Sequence, residues 1–434
     1  MQKTRLLECR KRDMLNAENA EEIVMSKYGR WQKDIIKKAL LTRRVVLLAG
    51  PRQCGKTTLV KQLVSSDVEY RTLDSLAARD AAAKDPEDFV MHSGETLIID
   101  EVQRIPDLII AIKKVVDEDT RPGQYLLTGS ANIATLPTVK ESLAGRIRKI
   151  RLRTLSQGEI RGTPPAFLER AFERNFKFGF NPITKEEVVK TASIGGFPEP
   201  LTLNERDRRE WHSNYITTLL ERDLAELYNL EKHDTMGKLV DILCAWSSKY
   251  MDMNAIAAGL GVQWRTLDSY INALAALYLV ERVPPWRNTD YDRVGKKPKI
   301  FMADSGLMFS LLGWNLEQLR FQPDMLGKLI ETFAYNEIAT QAEANPGLFE
   351  VFHYRDRERR EIDFIIMKEK QSILAIEIKA SNSVSASDFK HMTWFQKHLA
   401  KGRPFVGIVL YTGEIPLSFG DNKWAIPFGM LWAD

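Results

Sequence analysis

The segment Gly50-Pro51-Arg52-Gln53-Cys54-Gly55-Lys56-Thr57, followed by Thr58, satisfies G-x-x-x-x-G-K-[ST] at every position. Residue types at this spacing suit the cradling of a nucleoside triphosphate such as ATP. The glycines let main-chain N–H groups converge on phosphate oxygens, and the N-terminus of a following helix favours their negative charge. Lys56 is placed to neutralise the β- and γ-phosphates, and the Thr57 hydroxyl to complete a Mg²⁺ shell. Gly50, Pro51, Arg52, Gln53, Cys54, Gly55, Lys56, Thr57 and Thr58 are therefore the expected nucleotide contacts. Cys54 reads as a small filler in the loop, or as a thiol activated by nearby positive charge whose alkylation bound nucleotide would block.

Hydrolysis needs carboxylates as well. Thr96-Leu97-Ile98-Ile99-Asp100-Glu101 provides two acids at the end of an apolar run, where ligands of parallel sheets sit. Asp100 is placed to hold the Mg²⁺ shell and Glu101 to polarise the attacking water. The sequence TGSAN then offers Ser130 and Asn132, either as polar groups reaching the γ-phosphate or as parts of a plain turn. Arg146, in ESLAGRIRKIRL, reads either as an arginine finger for a neighbouring subunit or as a surface arginine.

A second constellation lies near the C-terminus. Strand alternation in Leu374-Ala375-Ile376-Glu377-Ile378-Lys379-Ala380 puts Glu377 and Lys379 on one face. In Glu361-Ile362-Asp363-Phe364-Ile365-Ile366 it sets Asp363 opposite Ile362, Phe364 and Ile366. Asp363 and Glu377 are 377 − 363 = 14 residues apart, enough for neighbouring positions on hairpin-paired strands. Two carboxylates able to share Mg²⁺, with a lysine to steady a nucleophilic water, suit phosphodiester hydrolysis. Glu331, in GKLIETFAYNEI, is a further candidate carboxylate. The same residues also fit an exposed strand face bearing a Glu–Lys pair.

The elements that must carry these groups follow from hydrophobic patterning. Apolar runs Val45–Gly50, Tyr70–Asp74, Thr96–Asp100, Tyr125–Gly129 and Lys149–Arg153 alternate with helix-like stretches, the mark of a parallel α/β sheet covered on both faces. Residues 1–29 form a polar, helix-like segment and residues 30–157 the loop-bearing core. Residues 158–250 are helical, with a break at Gly195–Pro200. Residues 251–319 read as helix, turn, helix and hairpin, a winged helix-turn-helix outline. On its second helix Gln263, Arg265, Thr266 and Ser269 face outward, towards DNA or towards a protein surface. Residues 320–434 open with a helix and continue into strands.

At 434 residues, with 44% hydrophobic and 28% charged residues, the chain has the balance of a soluble protein with two or three domains. No apolar run is long enough to span a bilayer, and the N-terminus lacks the apolar core of a secretory signal. Three cysteines, Cys9, Cys54 and Cys244, without metal-ligand spacing favour a reducing compartment, with the cytoplasm as the expected location. The net charge of +4 is mild. Basic residues gather at Lys37–Arg44, Arg146–Arg153, Lys296–Lys299 and Arg355–Arg360, as solvated loops or as binding patches.

GPRQCGKTTL, LIIDEVQR, LLTGSAN, ESLAGR, LSQGE, GGFPEP, YITTLLERDL, KIFMADSGL and EIDFII…LAIEIKAS occur in this order. Together they resemble a bacterial and archaeal family of AAA-type ATPases whose ATPase domain precedes a domain of unassigned function. The resemblance covers nearly all of the chain from Arg30 onwards. It implies an ATPase core of the additional-strand type, a winged helix-turn-helix and a C-terminal α/β domain similar to the PD-(D/E)xK, restriction-endonuclease-like fold. It also implies metal-site roles for Asp363, Glu377, Lys379 and Glu331. Two departures stand out: Cys54 replaces a usual aliphatic residue, and no proline precedes the first acid of the nuclease-like motif.

Two functions are compatible with these features. One is an ATP-driven enzyme acting on DNA, whose C-terminal domain grips or cuts it. The other is a signalling or scaffold ATPase with a protein partner and an inert nuclease-like domain.

Overall fold

Val45–Ala49 and Thr96–Asp100, like Tyr125–Gly129, are buried at every position, so the strands they form need cover on both faces. The computed structural model describes residues 28–130, 145–176, 179, 181–224, 233–287 and 297–433. They belong to two units: residues 1–155 with 197–202, and residues 156–196 with 203–434. The polar N-terminal segment expected at 1–29 lies almost wholly outside the described residues.

In the first unit, β1 (Val45–Ala49), β2 (Val68–Thr72), β3 (Thr96–Asp100), β4 (Tyr125–Gly129) and β5 (Ile147–Arg151) form one sheet. Its order is β2-β3-β4-β1-β5, and every pairing is parallel. The strands at 68–72 and 147–151 begin two residues earlier than hydrophobic continuity suggests. Both are edge strands and mostly half-buried, so apolar residues do not mark their ends. Helices α1 (Gln32–Leu40), α2 (Lys56–Lys61), α3 (Leu76–Lys84), α4 (Pro86–Val90) and α5 (Leu108–Glu118) complete the unit. Ile35, Ile36, Val46, Leu48, Leu59 and Leu152 pack in one cluster. Each such side chain contributes about 1.5–3 kcal/mol by leaving water. Because β4 lies between β1 and β3, the C-terminal ends of all three are neighbours.

The second unit begins with α6 (Gln157–Arg161), α7 (Phe167–Glu173), α8 (Lys185–Ile194), α9 (Glu205–Thr218) and α10 (His233–Trp246). Helices α11 (Met253–Leu260) and α12 (Trp264–Ala276) follow, separated by Gly261 at φ 63°. A three-stranded antiparallel sheet, β6-β8-β7, comprises Lys249–Tyr250, Lys299–Met302 and Val280–Val283 in that order. Beyond α13 (Ser305–Leu311) and α14 (Leu316–Leu319) comes the 22-residue α15 (Pro323–Ala344), buried around most of its circumference.

A six-stranded sheet completes this unit: β9 (Phe349–Arg355), β10 (Glu361–Lys368), β11 (Ser372–Lys379), β12 (Phe405–Tyr411), β13 (Leu417–Ser418) and β14 (Lys423–Pro427). Its order is β13-β14-β12-β11-β10-β9. Strand β10 runs antiparallel to both β9 and β11, while β11, β12 and β14 are mutually parallel, and β13 is antiparallel to β14. One face packs against Met392 and Phe395 of α16 (Lys390–His398).

Strict alternation fails in β10. Its register against β9 shifts between Ile362 and Ile365, so one extra residue is accommodated there. Ile362 and Ile365 both enter the cluster beneath α16. Asp363 and Phe364 instead both meet β8, through Lys299 and Phe301. The expected opposition of Asp363 and Phe364 is thus removed by a bulge. Among the described residues, no helix is long and apolar enough to cross a membrane.

Candidate functional site

The loop after β1 is built to approach another group closely. A Cβ on Gly50 would overlap the Leu152 carbonyl, and Gly55 sits at φ 96°, so neither position accepts another residue without strain. Gln53 also has a positive φ, 57°. Lys56 is buried, and its Nζ donates to the carbonyl oxygens of Gly50 at 3.1 Å and Pro51 at 2.7 Å. Cys54 is fully buried, with Sγ 3.6 Å from the Leu152 carbonyl oxygen, and packs with Leu59 and Ile150. This is the filler arrangement rather than that of an accessible thiol. Tyr28, Arg30, Thr58, Gln62, Leu155 and Pro198 line a cleft beside Gly55. Apart from Thr58, these residues carried no signal of a binding role in the sequence.

At the end of β3, the Thr57 hydroxyl donates to Asp100 Oδ2 at 2.9 Å, and the Tyr70 hydroxyl donates to the same oxygen at 2.9 Å. Thr128 Oγ1 donates to Asp100 Oδ1. Burial, reinforced by the Asp100 charge, pushes the Tyr70 phenol above its ordinary range, so it remains a donor. Thr57 and Asp100 thus form a hydroxyl–carboxylate pair of the kind that could hold Mg²⁺ beside a triphosphate.

Glu101 has a left-handed backbone, φ 60° and ψ 43°, which turns the chain directly after the strand. Its N–H donates to Thr128 Oγ1 at 2.9 Å. Its carboxylate accepts from Gln103 Nε2 and, at 3.3 Å, from Ser130 Oγ, while Gln103 Nε2 also donates to Ser130 Oγ at 2.9 Å. The structure therefore brings Glu101 and Ser130 together. Gln103, Thr128 and Tyr70 belong to the same network but escaped sequence reading, because no spacing rule distinguishes them from ordinary turn and strand residues. Asn132 lies outside the described residues.

Arg146 does not join this group. It precedes β5, whose first residue pairs with Val45 at the start of β1, and it forms an ion pair with Asp117. Five residues of strand, about 16 Å, separate that level from the loop at the other end of the sheet.

The second constellation has a different character. Asp363 Oδ2 accepts from the Ile378 N–H at 2.9 Å, next to Glu377 and just beyond Phe364–Ile376, the end pair of the β10–β11 hairpin. The centre of the acidic cluster is Lys299, only 1% exposed. Its ammonium is 3.0 Å from Asp363 Oδ1 and 3.3 Å from Glu361 Oε1, and it also pairs with Glu331. The rings of Tyr250 and Phe301 are 5.7 and 5.9 Å from Nζ. Lys299 is therefore not part of a solvated basic run.

Burial opposes the charge of Lys299, but Asp363, Glu331 and Glu361 outweigh it and hold its pKa well above the ordinary lysine value. Burial, followed by the Asp363 charge, raises Glu331 to about 8 and lifts Glu377 well above the usual carboxylate range. Lys379 pairs with Asp388 at 2.7 Å. Among the described residues, no group of three or more His, Cys, Asp or Glu side chains could hold a metal ion. The metal role expected of Asp363, Glu377 and Glu331 does not fit this arrangement, because an ammonium already satisfies the cluster.

Gln263, the N-cap of α12, and Trp264, Arg265 and Ser269 on that helix are exposed, and Thr266 is half-buried. Trp264 is 52% exposed.

Residues 42–161 match the family model described as an AAA domain, and the chain carries an AAA-type P-loop ATPase domain. Residues 185–318 and 326–431 match two domains of unknown function, DUF8612 and DUF4143. Uncharacterized proteins of Mycobacterium tuberculosis (Rv2008c) and Mycobacterium bovis (Mb2031c) are each 29% identical over 394 residues, covering 90% of this chain and 82% of the relative. Among solved structures, a Walker-type ATPase of Pyrococcus abyssi is similar at a TM-score of 0.38 and 17% identity, covering 64% of this chain and 94% of that one. AMPPCP-bound DnaA from Aquifex aeolicus is similar at a TM-score of 0.27 and 13% identity, covering 56% and 86%.

Proposed function

We propose that the chain hydrolyses ATP at Gly50–Thr58 and uses the turnover to act on DNA. The carrying observation is the Thr57–Asp100 hydrogen bond of 2.9 Å, which joins the loop hydroxyl to the β3 carboxylate. When bound there, Mg²⁺ supplies charge neutralisation for the phosphates. Lys56 turns from its loop carbonyls to the β- and γ-phosphate oxygens. Glu101 orients and polarises the water, while Ser130 and Asn132 reach the γ-phosphate side. In its own subunit Arg146 is too far from the loop, so a finger role requires a homo-oligomer in which it meets a neighbour's nucleotide.

DNA is assigned to α11–α12 and the β7–β8 hairpin, read as a winged helix-turn-helix. The exposed Gln263, Arg265 and Ser269 provide polar contacts, and Trp264 an apolar one. The C-terminal sheet, read as PD-(D/E)xK-like, serves as a gripping surface. The working location is the cytoplasm. One observation favours the other reading, a signalling or scaffold ATPase with a protein partner: Lys299 neutralises the acids that cleavage would need.

An ATPase assay with single-stranded, duplex and branched DNA separates the two. DNA stimulation, with affinity falling steeply as salt rises, supports action on DNA. Absence of both effects for every DNA form assigns the partner to protein.

A further inference from the structure

We infer that Lys299 is an internal substitute for a divalent cation, supplied by β8 to the acidic cluster of the C-terminal sheet. The inference rests on the nuclease-like reading of that sheet. Its basis is geometric. Glu331 comes from α15, Glu361 and Asp363 come from β10, and all three converge on one ammonium. Glu377 lies beside Asp363 across the hairpin. Carboxylates brought around one point, with Asp363 buried and Glu331 and Glu361 half-buried, repel one another unless a cation lies between them. Such a point is usually satisfied by a metal ion at about 2.0–2.6 Å from its oxygens. Here the point is occupied by the ammonium, which lies 3.0 Å from Asp363 and 3.3 Å from Glu361 and also pairs with Glu331.

Lys299 is also firmly held. It lies in a strand paired on both sides, to β6 and β7, and its neighbour Ile300 is fully buried. The bulge in β10 directs Asp363 towards this lysine. The sheet thereby keeps the acids of a hydrolytic site but spends them on a lysine. It binds no Mg²⁺ or Mn²⁺ in this cluster and does not cut phosphodiesters.

The test is Mn²⁺ binding, followed by electron paramagnetic resonance on the full chain without nucleotide. The proteins are wild type, Asp363→Asn, Lys299→Met and Lys299→Met/Asp363→Asn. Wild type and Asp363→Asn should show the same Mn²⁺ binding. Lys299→Met should gain one site, with an affinity at least tenfold above the double variant, and Mn²⁺ should raise its Tm. Should Lys299→Met fold only when Mn²⁺ is present, the inference is equally supported; should it fold under neither condition, the comparison of wild type with Asp363→Asn decides. Mn²⁺ binding by wild type that Asp363→Asn abolishes overturns the inference but leaves the nuclease-like reading intact. Folded Lys299→Met without a gained site overturns both, because the cluster is then no cation site.

Discussion

The Thr57 hydroxyl and the Asp100 carboxylate meet at 2.9 Å across 43 residues of sequence, and Thr128 and Tyr70 donate to the same carboxylate from either side. Asp100 is thus held by three hydroxyls from β2, β4 and the start of α2. Neutral donors of this kind fix an acid in position while leaving its charge available to a cation.

Thr128 accepts from the Glu101 N–H and donates to Asp100, so one side chain sets the geometry of both acids. Thr128→Val preserves shape but leaves a buried N–H and a carboxylate oxygen short of partners. Urea denaturation should show a loss of about 1–3 kcal/mol, and kcat for ATP should fall as well.

The Gln103–Ser130 pair holds the Glu101 carboxylate near the end of β4. Glu101→Gln should still bind ATP but lose about 10²-fold or more in kcat, the usual range for a general base. Ser130→Ala should cost less, because Gln103 still holds the acid. Steady-state hydrolysis and nucleotide titration on the same samples distinguish these outcomes.

Gly195 has φ 77° and ψ −157°, a region essentially closed to other residues, and a Cβ there would overlap the Asp304 carboxylate. Asp304 accepts from the Gly196 N–H at 2.8 Å and caps α13 through the Leu307 N–H at 2.8 Å. Gly195→Ala should therefore destabilise the second unit by about 2–4 kcal/mol, read as an earlier thermal transition.

His212 is fully buried, with Nδ1 2.8 Å from Ser310 Oγ, and burial, then the Arg208 charge, lowers it to about 3. Below its ordinary value of about 6.5 the unfolded chain takes up a proton that the folded chain refuses, so stability falls with falling pH. The loss approaches about 1.4 kcal/mol per pH unit between pH 6.5 and the folded value. His212→Asn, which preserves a partner for Ser310, should remove this slope. The difference between the two proteins' urea midpoints at pH 7.5 and 5.5 measures it.

What sequence revealed and what it concealed divide along physical lines. The loop, Asp100 and Glu101 were legible because phosphate binding demands glycine, lysine and an acid at fixed offsets from strands buried on both faces. Ser130 was legible by position. Tyr70, Thr128 and Gln103 were not, since their roles arise only when strand order places β3 between β2 and β4 and the turn after β3 returns Gln103 to Glu101. In the C-terminal sheet the nearness of Asp363 to Glu377 could be read from hairpin arithmetic. The bulge at Ile362–Ile365 could not, because alternation carries no sign of an inserted residue. Lys299 was hidden for a different reason. It stands two residues from Lys297 in a basic run, and only the tertiary fold buries it among acids more than thirty residues away.

Calorimetric titration of Mg·ATP into wild type and Lys56→Ala, each followed by a phosphate-release assay, tests the central claim most directly. Wild type should bind one nucleotide per chain and release phosphate, and Lys56→Ala should lose at least tenfold in affinity and all measurable turnover. Equal binding and turnover by the two proteins, or no binding by wild type at millimolar ATP, would contradict it.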